Sequence, residues 1–420
     1  MAKFIIRGGN RLVGEITVNG SKNDATPAVC ATLLTSEPVL LRNVPRISDV
    51  LHLLEILTGL GAEVSWQGAH DIRISCAHVN PGALDRGLVA SMRSSALLMG
   101  PMLARFGAVE LPEPGGDVIG KRPLETHFYA FEKLGATVER SHDRVRISGS
   151  LRAAEVILPE LSVTATENAV MAASRITGTT VVKLAATEPH VQNLCRMLIA
   201  MGARIEGIGS HTLRVTGAAA LRGADHTIIP DTLEVGTMLV AIAATKGEAT
   251  IVNVVPEHLE MVLNLVSDIG IRTEYRDGRL RVLPPAGAPR PFRLLTLPYP
   301  GFPTDLQAPF SVLATQCDGM SMIHDPLYEG RLGYVHWLTK MGANAVVCDP
   351  HRVVFSGPTP LHGYEIKALD IRAGATLLIA GLTASGETVL HDAEIIDRGY
   401  EKLAERLGEL GADIRREQGV

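Results

Sequence analysis

Leu60-Gly61-Ala62 is the first of six short stretches that decide the fold, because its pattern returns at a nearly constant interval. The others are Leu134-Gly135-Ala136, Met201-Gly202-Ala203, Ile269-Gly270-Ile271, Met341-Gly342-Ala343 and Leu410-Gly411-Ala412. Successive glycines are 67 to 74 residues apart. An apolar helical stretch runs into each glycine, and glycine readily takes the left-handed conformation that ends a helix. The sequence therefore predicts six copies of one unit of about 70 residues.

A second repeated element lies between these glycine caps. Turn residues followed by a β-patterned run begin near residues 36, 107, 178, 247, 319 and 386, and each predicts a turn and a strand. Upstream of each lies a helix of small apolar residues, which opens near residues 22, 92, 163, 231, 304 and 370. Every copy therefore contains two helices and several short strands, and three copies per domain is the natural division.

Composition indicates an α/β protein, with 46% hydrophobic residues and 41 glycines. Apolar runs stay below the roughly 18 residues that predict a membrane span, and the amino terminus is too short in its apolar part for a secretion signal. We therefore expect a cytoplasmic protein. The net charge is −5, and Lys and Arg are dispersed along the chain. This pattern argues against nucleic acid as a partner. Five cysteines without paired spacing indicate buried thiols and no bound metal.

The first helix of every copy opens with groups suited to polar chemistry. They are Lys22, Asn23, Arg93, Ser162, Thr164, Asp231, Asp305, and Asp370 with Arg372. Helix N-termini carry unpaired N–H groups and about half a positive charge, so several of them facing one cleft would attract phosphates and carboxylates. The sequence thus predicts a phosphorylated substrate. Taken alone, Ser162, Asp231, Asp305 and Asp370 also fit ordinary N-caps, an interpretation that suits neither Lys22 nor Arg93.

Two segments break the repeat pattern. The glycine-rich stretch 114–123 predicts a mobile lid with Asp117 at its tip and Arg122 at its base, although a simple structural turn is the alternative. The second segment, Ile396-Asp397-Arg398-Gly399-Tyr400, places Arg398 in the sixth copy. Arg398 is either a surface cation or a neighbour of Arg372.

Six ordered motifs, which together span essentially the whole chain, resemble those of the UDP-N-acetylglucosamine 1-carboxyvinyltransferases. They are Gly14-Glu15 through Ser21-Lys22-Asn23, the Gly-Gly-x-x-Ile-Gly-x-Arg-Pro loop at 115–123, Phe302 to Gln307, Glu329-Gly330-Arg331, Asp370-Ile371-Arg372-Ala373, and Ile396 to Tyr400. The resemblance implies a two-domain inside-out α/β barrel of six βαβαββ repeats, three per domain. The expected first domain is 22–229, with the lid loop 113–123. The second is 1–21 plus 230–420, and the active-site cleft is expected between the two.

The same resemblance implies a reaction that needs no cofactor. The enolpyruvyl group of phosphoenolpyruvate moves to the 3-hydroxyl of UDP-N-acetylglucosamine with phosphate release, by addition and elimination, in the first committed step of peptidoglycan synthesis. The implied catalytic residues are Asp117, Asp305, Lys22 and Arg398. The residues implied for phosphoenolpyruvate are Lys22, Asn23, Arg122, Arg331, Arg372 and Arg398. Those implied for the nucleotide sugar are Asn23, Arg93, Arg122, Pro123, Leu124, Glu125, Thr126, Ser162, Val163, Asp305 and Leu327.

Several positions depart from the family pattern. Asp117 stands where most members carry the Cys that fosfomycin alkylates, so we expect an active, fosfomycin-insensitive enzyme. Asp24, Thr164 and Gly330 also differ, and Thr164 and Glu160 fall where the uridine and diphosphate are expected, which leaves open a paralogue with another acceptor. A 5-enolpyruvylshikimate-3-phosphate synthase is the nearest enzyme alternative. A catalytically dead anion-binding relative is the non-enzyme alternative.

Overall fold

The computed structural model describes residues 2–112, 115, 119–120, 122–142 and 144–418. The chain forms two compact units. The amino-terminal unit contains Gly20–Gly116 and Arg122–Ile229, and the carboxy-terminal unit contains Met1–Asn19, Asp117–Lys121 and Pro230–Val420. The sequence had assigned the whole loop 113–123 to the first domain. Within it, Ile119 and Gly120 group with the carboxy-terminal unit, where the Gly330 N–H donates to the Ile119 carbonyl at 3.0 Å.

Strands and helices alternate along the described residues. The strands, in chain order, are β1 (Ala2–Arg7), β2 (Val13–Thr17), β3 (Val39–Arg42), β4 (Glu63–Trp66), β5 (Ile72–Ser75), β6 (Ala108–Leu111), β7 (Thr137–Arg140), β8 (Val145–Ser148), β9 (Glu155–Ile157), β10 (Thr179–Lys183), β11 (Arg204–Glu206), β12 (Thr212–Thr216), β13 (Asp225–Thr227), β14 (Glu248–Val252), β15 (Thr273–Arg276), β16 (Arg279–Val282), β17 (Arg293–Leu295), β18 (Gly319–His324), β19 (Ala345–Asp349), β20 (Arg352–Gly357), β21 (Glu365–Lys367), β22 (Glu387–His391) and β23 (Asp413–Gln418). The α-helices are α1 (Lys22–Ala31), α2 (Ser48–Gly59), α3 (Arg86–Ala90), α4 (Met99–Phe106), α5 (Glu125–Lys133), α6 (Val163–Ala173), α7 (Pro189–Met201), α8 (Thr232–Ala244), α9 (Glu260–Asp268), α10 (Gln307–Ala314), α11 (Tyr334–Lys340), α12 (Ile371–Thr383) and α13 (Leu403–Glu409).

Among the described residues, each unit carries three small sheets built to a common plan. Their strand orders are β13-β3-β5-β4, β6-β8-β7 and β11-β12-β10-β9 in the amino-terminal unit, and β15-β16-β14-β2, β17-β18-β20-β19 and β21-β22-β1-β23 in the carboxy-terminal unit. In the four-stranded sheets one outer pair is parallel and the other two pairs are antiparallel. The order βαβαββ is continuous in β9-α6-β10-α7-β11-β12 and in β17-α10-β18-α11-β19-β20. The predicted repeat is therefore confirmed.

The six glycines of the repeat signature close helices as the sequence predicts. Gly61, Gly135, Gly202, Gly270, Gly342 and Gly411 have φ between 89° and 117°. This is the left-handed region, where a side chain would be strained. The repeated glycine is thus a conformational requirement of the helix ends.

The first helix of a repeat lies inside its unit, and the sheets lie outside. In the carboxy-terminal unit, 12 of the 13 residues of α8 and all 8 of α10 are buried. In the amino-terminal unit, 9 of the 11 residues of α6 are buried. A helix that is apolar on every side is stable only when other elements surround it. The strands outside alternate buried and exposed residues, as in β16.

Two of these inner helices begin differently from the sequence prediction. The second and fifth copies open with 3₁₀ turns, Arg93–Leu98 and Thr304–Leu306, before α4 and α10. Both α-helices have proline at their third position, Pro101 and Pro309. A proline ring meets the carbonyl four residues earlier in a continuous α-helix, and this favours a tighter turn there. Among the described helices none is both long and apolar enough to cross a membrane.

Candidate active site

In the carboxy-terminal unit, Asp305 lies in the 3₁₀ turn that precedes α10 and binds two arginines. Arg331 Nη2 donates to Asp305 Oδ1 at 2.7 Å, and Arg372 Nε donates to Asp305 Oδ2 at 3.0 Å. Arg331 follows Gly330, and Arg372 is in the first turn of α12. The structure therefore brings together three residues that the sequence placed in the site. Asp305 is not an N-cap, because both of its carboxylate oxygens face guanidinium groups.

The two arginines of this cluster are more deeply buried than the carboxylate they share. The side chains of Arg331 and Arg372 are only 9% and 7% exposed, whereas that of Asp305 is 23% exposed. Burial opposes ionisation of the carboxyl, but the two arginines prevail and hold the pKa of Asp305 well below its usual value. Among the described residues, the buried Arg331 Nε and Arg372 Nη1 have no hydrogen-bond acceptor. Buried guanidinium donors of this kind suit a carboxylate or a phosphate.

A buried aromatic group supports Arg372 from the other side. The Arg372 guanidinium carbon lies 5.2 Å from the ring centroid of Tyr400, which is 1% exposed. The Tyr400 hydroxyl and Thr237 Oγ1 are 2.9 Å apart. Arg398 ends the 3₁₀ segment Ala393–Arg398 and is half-buried two residues before Tyr400. The sixth-copy motif thus contributes a support for Arg372 through Tyr400.

Asp325 fixes the turn that carries Asp305, and sequence reasoning missed it. Asp325 is fully buried and accepts from Thr304 Oγ1 at 2.6 Å and from Thr296 Oγ1 at 2.8 Å. It also accepts from the Leu327 N–H at 3.1 Å. One carboxylate therefore ties the turn of Asp305 to the segment of Leu327, which is 37% exposed. No local pattern marks Asp325, because its two hydroxyl partners are 29 and 21 residues away in sequence.

Gly330, a departure noted in the sequence, has a steric explanation. A Cβ at this position would lie 2.7 Å from the carbonyl carbon of Ile119. The close approach lets the Gly330 N–H bond the Ile119 carbonyl, directly beside Arg331. Asp117, the residue predicted to donate a proton, lies outside the described residues.

In the amino-terminal unit, Lys22 opens α1 and pairs with a carboxylate that the sequence did not single out. Lys22 Nζ is 2.6 Å from Asp49 Oδ2, and the two side chains are 15% and 4% exposed. Asp49 is in the first turn of α2, so its sequence signal is only that of an ordinary helix-start acid. Asn23 follows Lys22 and is partly buried.

Asp24, beside this pair, is buried within α1. Its Oδ2 accepts from Asn193 Nδ2 at 2.6 Å and from the Ile229 N–H at 2.9 Å. Burial raises the pKa of Asp24 to about 7, against the pull of these two hydrogen bonds and of Arg196. The helix turn that carries Lys22 is therefore tied to the end of the unit at Ile229.

The other nucleotide-sugar residues expected from the sequence surround α5 and α6. Arg93 donates to the backbone carbonyls of Arg122 and Pro123, so its guanidinium holds that stretch of chain. Leu124 is buried. At the start of α5, Glu125 pairs with Arg140 at 3.0 Å, and Thr126 Oγ1 donates to Glu160 Oε1 at 2.8 Å.

Three of the polar helix-start residues are N-caps. Ser162 accepts from the Ala165 N–H ahead of Val163, the first residue of α6. Asp231 caps α8, and Asp370 caps α12 through the N–H groups of Arg372 and Ala373. The interpretation as ordinary N-caps is therefore supported for these three residues, whereas it is wrong for Asp305. Within the described part of the chain, no three His, Cys, Asp or Glu side chains group as a metal site requires.

The repeated βαβαββ fold, with a carboxylate held by two buried arginines, defines an α/β protein equipped to bind small anions. A family model described as EPSP synthase (3-phosphoshikimate 1-carboxyvinyltransferase) matches residues 6–407, and the chain belongs to this family.

Individual relatives are similar over nearly the full length. The chain is 41% identical over 421 residues to the UDP-N-acetylglucosamine 1-carboxyvinyltransferase of Koribacter versatilis (strain Ellin345), covering 99% of this chain and 96% of the relative. It is 42% identical over 423 residues to the protein of the same name from Bradyrhizobium diazoefficiens, covering 99% and 98%. The solved structure of the enolpyruvyl transferase NikO from Streptomyces tendae aligns with a TM-score of 0.89 at 25% identity, covering 99% and 98%. The family resemblance and the fold class predicted from the sequence are confirmed.

Proposed function

We propose that the protein transfers the enolpyruvyl group of phosphoenolpyruvate to the 3-hydroxyl of UDP-N-acetylglucosamine and releases phosphate, the first committed step of peptidoglycan synthesis. The observation that carries this proposal is the buried cluster of Asp305, Arg331 and Arg372. It combines a carboxylate with two cations, each of which keeps one buried nitrogen without an acceptor among the described residues. The names of full-length relatives that are 41% and 42% identical support the choice of substrates.

The reaction proceeds by addition and then elimination. In the addition, the sugar hydroxyl bonds to C2 of phosphoenolpyruvate, its proton passes to a base, and an acid protonates the methylene carbon C3. In the elimination, C3 loses a proton and the C2–O bond to phosphate breaks, which restores the double bond and releases inorganic phosphate. Proton transfer by positioned groups, together with cations placed near the anionic substrate, lowers both barriers.

Asp305 is the proposed base for the sugar hydroxyl, and its arginine partners are the proposed carboxylate site. While both arginines bind Asp305, its low pKa makes it a weak base. A substrate carboxylate that took Arg331 Nε and Arg372 Nη1 would neutralise part of their charge. The pKa of Asp305 would then rise toward the range in which a carboxylate accepts a proton. Substrate binding would thereby prepare the base.

The remaining roles carry over by resemblance. Asp117 is the proposed acid for C3, and Lys22, Arg122 and Arg398 are the proposed phosphate ligands, with Asn23 beside them. Asn23, Arg93, Arg122, Pro123, Leu124, Glu125, Thr126, Ser162, Val163, Asp305 and Leu327 are the proposed nucleotide-sugar residues. Lys22 is supported in this role by its carboxylate partner Asp49, which orients the ammonium group.

Inorganic phosphate release tests the proposal directly. Phosphoenolpyruvate is supplied with UDP-N-acetylglucosamine, with shikimate-3-phosphate, or with no acceptor. We expect saturable release only with the nucleotide sugar. Release that depends on shikimate-3-phosphate would move the chain to the other branch of its family. No release with any acceptor would favour a binding protein.

A further inference from the structure

One edge strand of the fold differs from its five counterparts. The strand that follows each repeat glycine lies at one edge of its sheet and pairs with a single neighbouring strand among the described residues; these six are β4, β7, β11, β15, β19 and β23. Five of them carry a charged residue within their first three positions. In β19, Ala345-Val346-Val347-Cys348-Asp349, the first charged residue is the fifth. Charged side chains commonly keep other strands away from a sheet edge, and β19 lacks this protection.

β19 exposes apolar side chains on both of its faces. Val346 is 61% exposed, and Val347, on the opposite face of the strand, is 50% exposed. Cys348 is also exposed. In the other five edge strands, as far as the structure describes them, Tyr275 of β15 is the only exposed large hydrophobic residue, at 46%. An exposed apolar strand edge in a folded protein indicates a surface that another chain covers.

The apolar surface continues from β19 over the outer face of its sheet. Val346 lies opposite Val354 of β20, and Val354 lies opposite Met322 of β18. Met320, two residues earlier on the same face, is 73% exposed. The corresponding face of the sheet β15-β16-β14-β2 instead carries Arg281, which pairs with carboxylates of both flanking strands. β19 together with Met320, Met322 and Val354 therefore forms one surface, called the apolar edge below.

The backbone of the apolar edge requires a strand as its occupant, because the N–H and C=O groups along a free edge pair with another extended segment. That segment must also be apolar on both faces, as β19 itself is. When two copies of β19 run antiparallel about a two-fold axis, the end of each strand lies beside the start of the other. Asp349, which pairs with Arg352 of its own chain, then lies at the end of the other copy where α11 finishes. Lys340 is exposed there and has no ion pair within the described part of the chain, so the charges at the two ends are complementary.

We propose that the apolar edge is a docking surface for a second copy of this chain, in which the two β19 strands pair antiparallel and join two four-stranded sheets into one. The exposed valines of both copies then meet at the two-fold axis. A bulge after Val347 limits regular pairing to residues 345–347, so the interface is small. Dimers with interfaces of this size form in the micromolar range. The inference does not depend on the proposed reaction.

Sedimentation velocity of the full chain from about 1 to about 200 µM tests the proposal. We expect the mass to shift from that of one chain to that of two. Val346→Lys should raise the dimer dissociation constant at least about tenfold, because an interface with two-fold symmetry buries the unpaired ammonium group twice. Tyr275→Lys is the matched control, because it adds the same charge to the equivalent strand β15, and it should leave that constant within about twofold. Circular dichroism checks that both variants are folded.

Cross-linking of the parent supplies a readout that needs no substitution at the interface. Cys348 is exposed, whereas the four other cysteines are buried. Antiparallel pairing around Val346 and Val347 brings the two Cys348 residues within about 15 Å of each other, because a strand rises about 3.4 Å per residue. A bis-maleimide of that span should couple two chains, and Cys348→Ser should abolish the coupling.

Several outcomes would overturn the proposal. One is a parent that stays monomeric up to about 200 µM. Another is a dimer that Val346→Lys leaves intact, or that Tyr275→Lys disrupts equally. A dimeric parent that gives no cross-link through Cys348 would exclude antiparallel pairing of β19. A monomeric parent whose apolar edge binds a different protein would exclude a second copy as the occupant.

Discussion

Replacing Asp305 by asparagine tests the central cluster, because it removes one negative charge and almost no volume. Arg331 and Arg372 are less than 10% exposed, and both form an ion pair with this carboxylate. Breaking a buried ion pair typically costs about 3–5 kcal/mol, and the partial exposure of Asp305 places the expected loss of unfolding free energy near about 3 kcal/mol. Loss of the proposed base should also lower kcat by about 10²- to 10⁴-fold.

Denaturant unfolding and steady-state phosphate release measure the two effects separately. Asp349→Asn is the matched control, because Asp349 forms an exposed pair with Arg352 in the same unit, with a contact of 2.7 Å, and should change stability by less than about 1 kcal/mol. The pKa of Asp305 is depressed in the folded protein, so its stabilising effect is complete above the unfolded value of about 4. The stability loss should therefore be the same at pH 6 and pH 8. A kcat within tenfold of the parent would refute Asp305 as the base, and an unchanged unfolding free energy would refute the electrostatic argument.

Three further outcomes are expected. Asp49→Asn should raise the KM for phosphoenolpyruvate about tenfold, because Lys22 loses the carboxylate that orients it, and an unchanged KM in the phosphate-release assay would count against that role. Fosfomycin should leave the intact mass of the parent unaltered, whereas Asp117→Cys should gain one covalent adduct in the 115–123 loop; an adduct on the parent would disprove the insensitivity. The pKa of Asp24 is raised to about 7, so the folded state binds the extra proton between about pH 4 and 7 and stability falls as pH rises through that window. Between pH 5 and pH 8, the free energy of unfolding measured with urea should fall less for Asp24→Asn than for the parent. An identical fall would exclude Asp24 as a source of the pH dependence.

Much of the fold could be predicted because its signals are local and repeated. A glycine that must take positive φ after an apolar helix is visible in sequence, and all six such glycines have that conformation. The two 3₁₀ openings were missed, although Pro101 and Pro309 were visible. Their effect depends on which carbonyl lies four residues earlier in the helix, and an element boundary must be known before that can be judged.

The candidate site was only partly accessible to the same reasoning. Asp305, Arg331 and Arg372 were found through motifs, and the structure brings them into contact. Asp325 was not found, and Tyr400 was noted only as part of a motif, because their supporting contacts with Thr304, Thr237 and Arg372 join segments that are distant in sequence. A lone buried acid or aromatic residue has no periodicity to distinguish it from ordinary core. Tertiary structure was needed to show which polar residues hold the site together.

Hydrogen-bond satisfaction separates buried cations that stabilise the fold from buried cations that suit a ligand. Arg406, whose side chain is 14% exposed, pairs with the buried carboxylate of Glu234, and packing explains this pair. Arg331 and Arg372 share the Asp305 carboxylate, and each keeps one buried nitrogen that has no acceptor among the described residues. Replacing buried charges by apolar residues is often neutral or stabilising, so stability alone does not account for two such arginines. An anionic substrate would satisfy both donors, and the cost of burying them is then best understood as a requirement of binding.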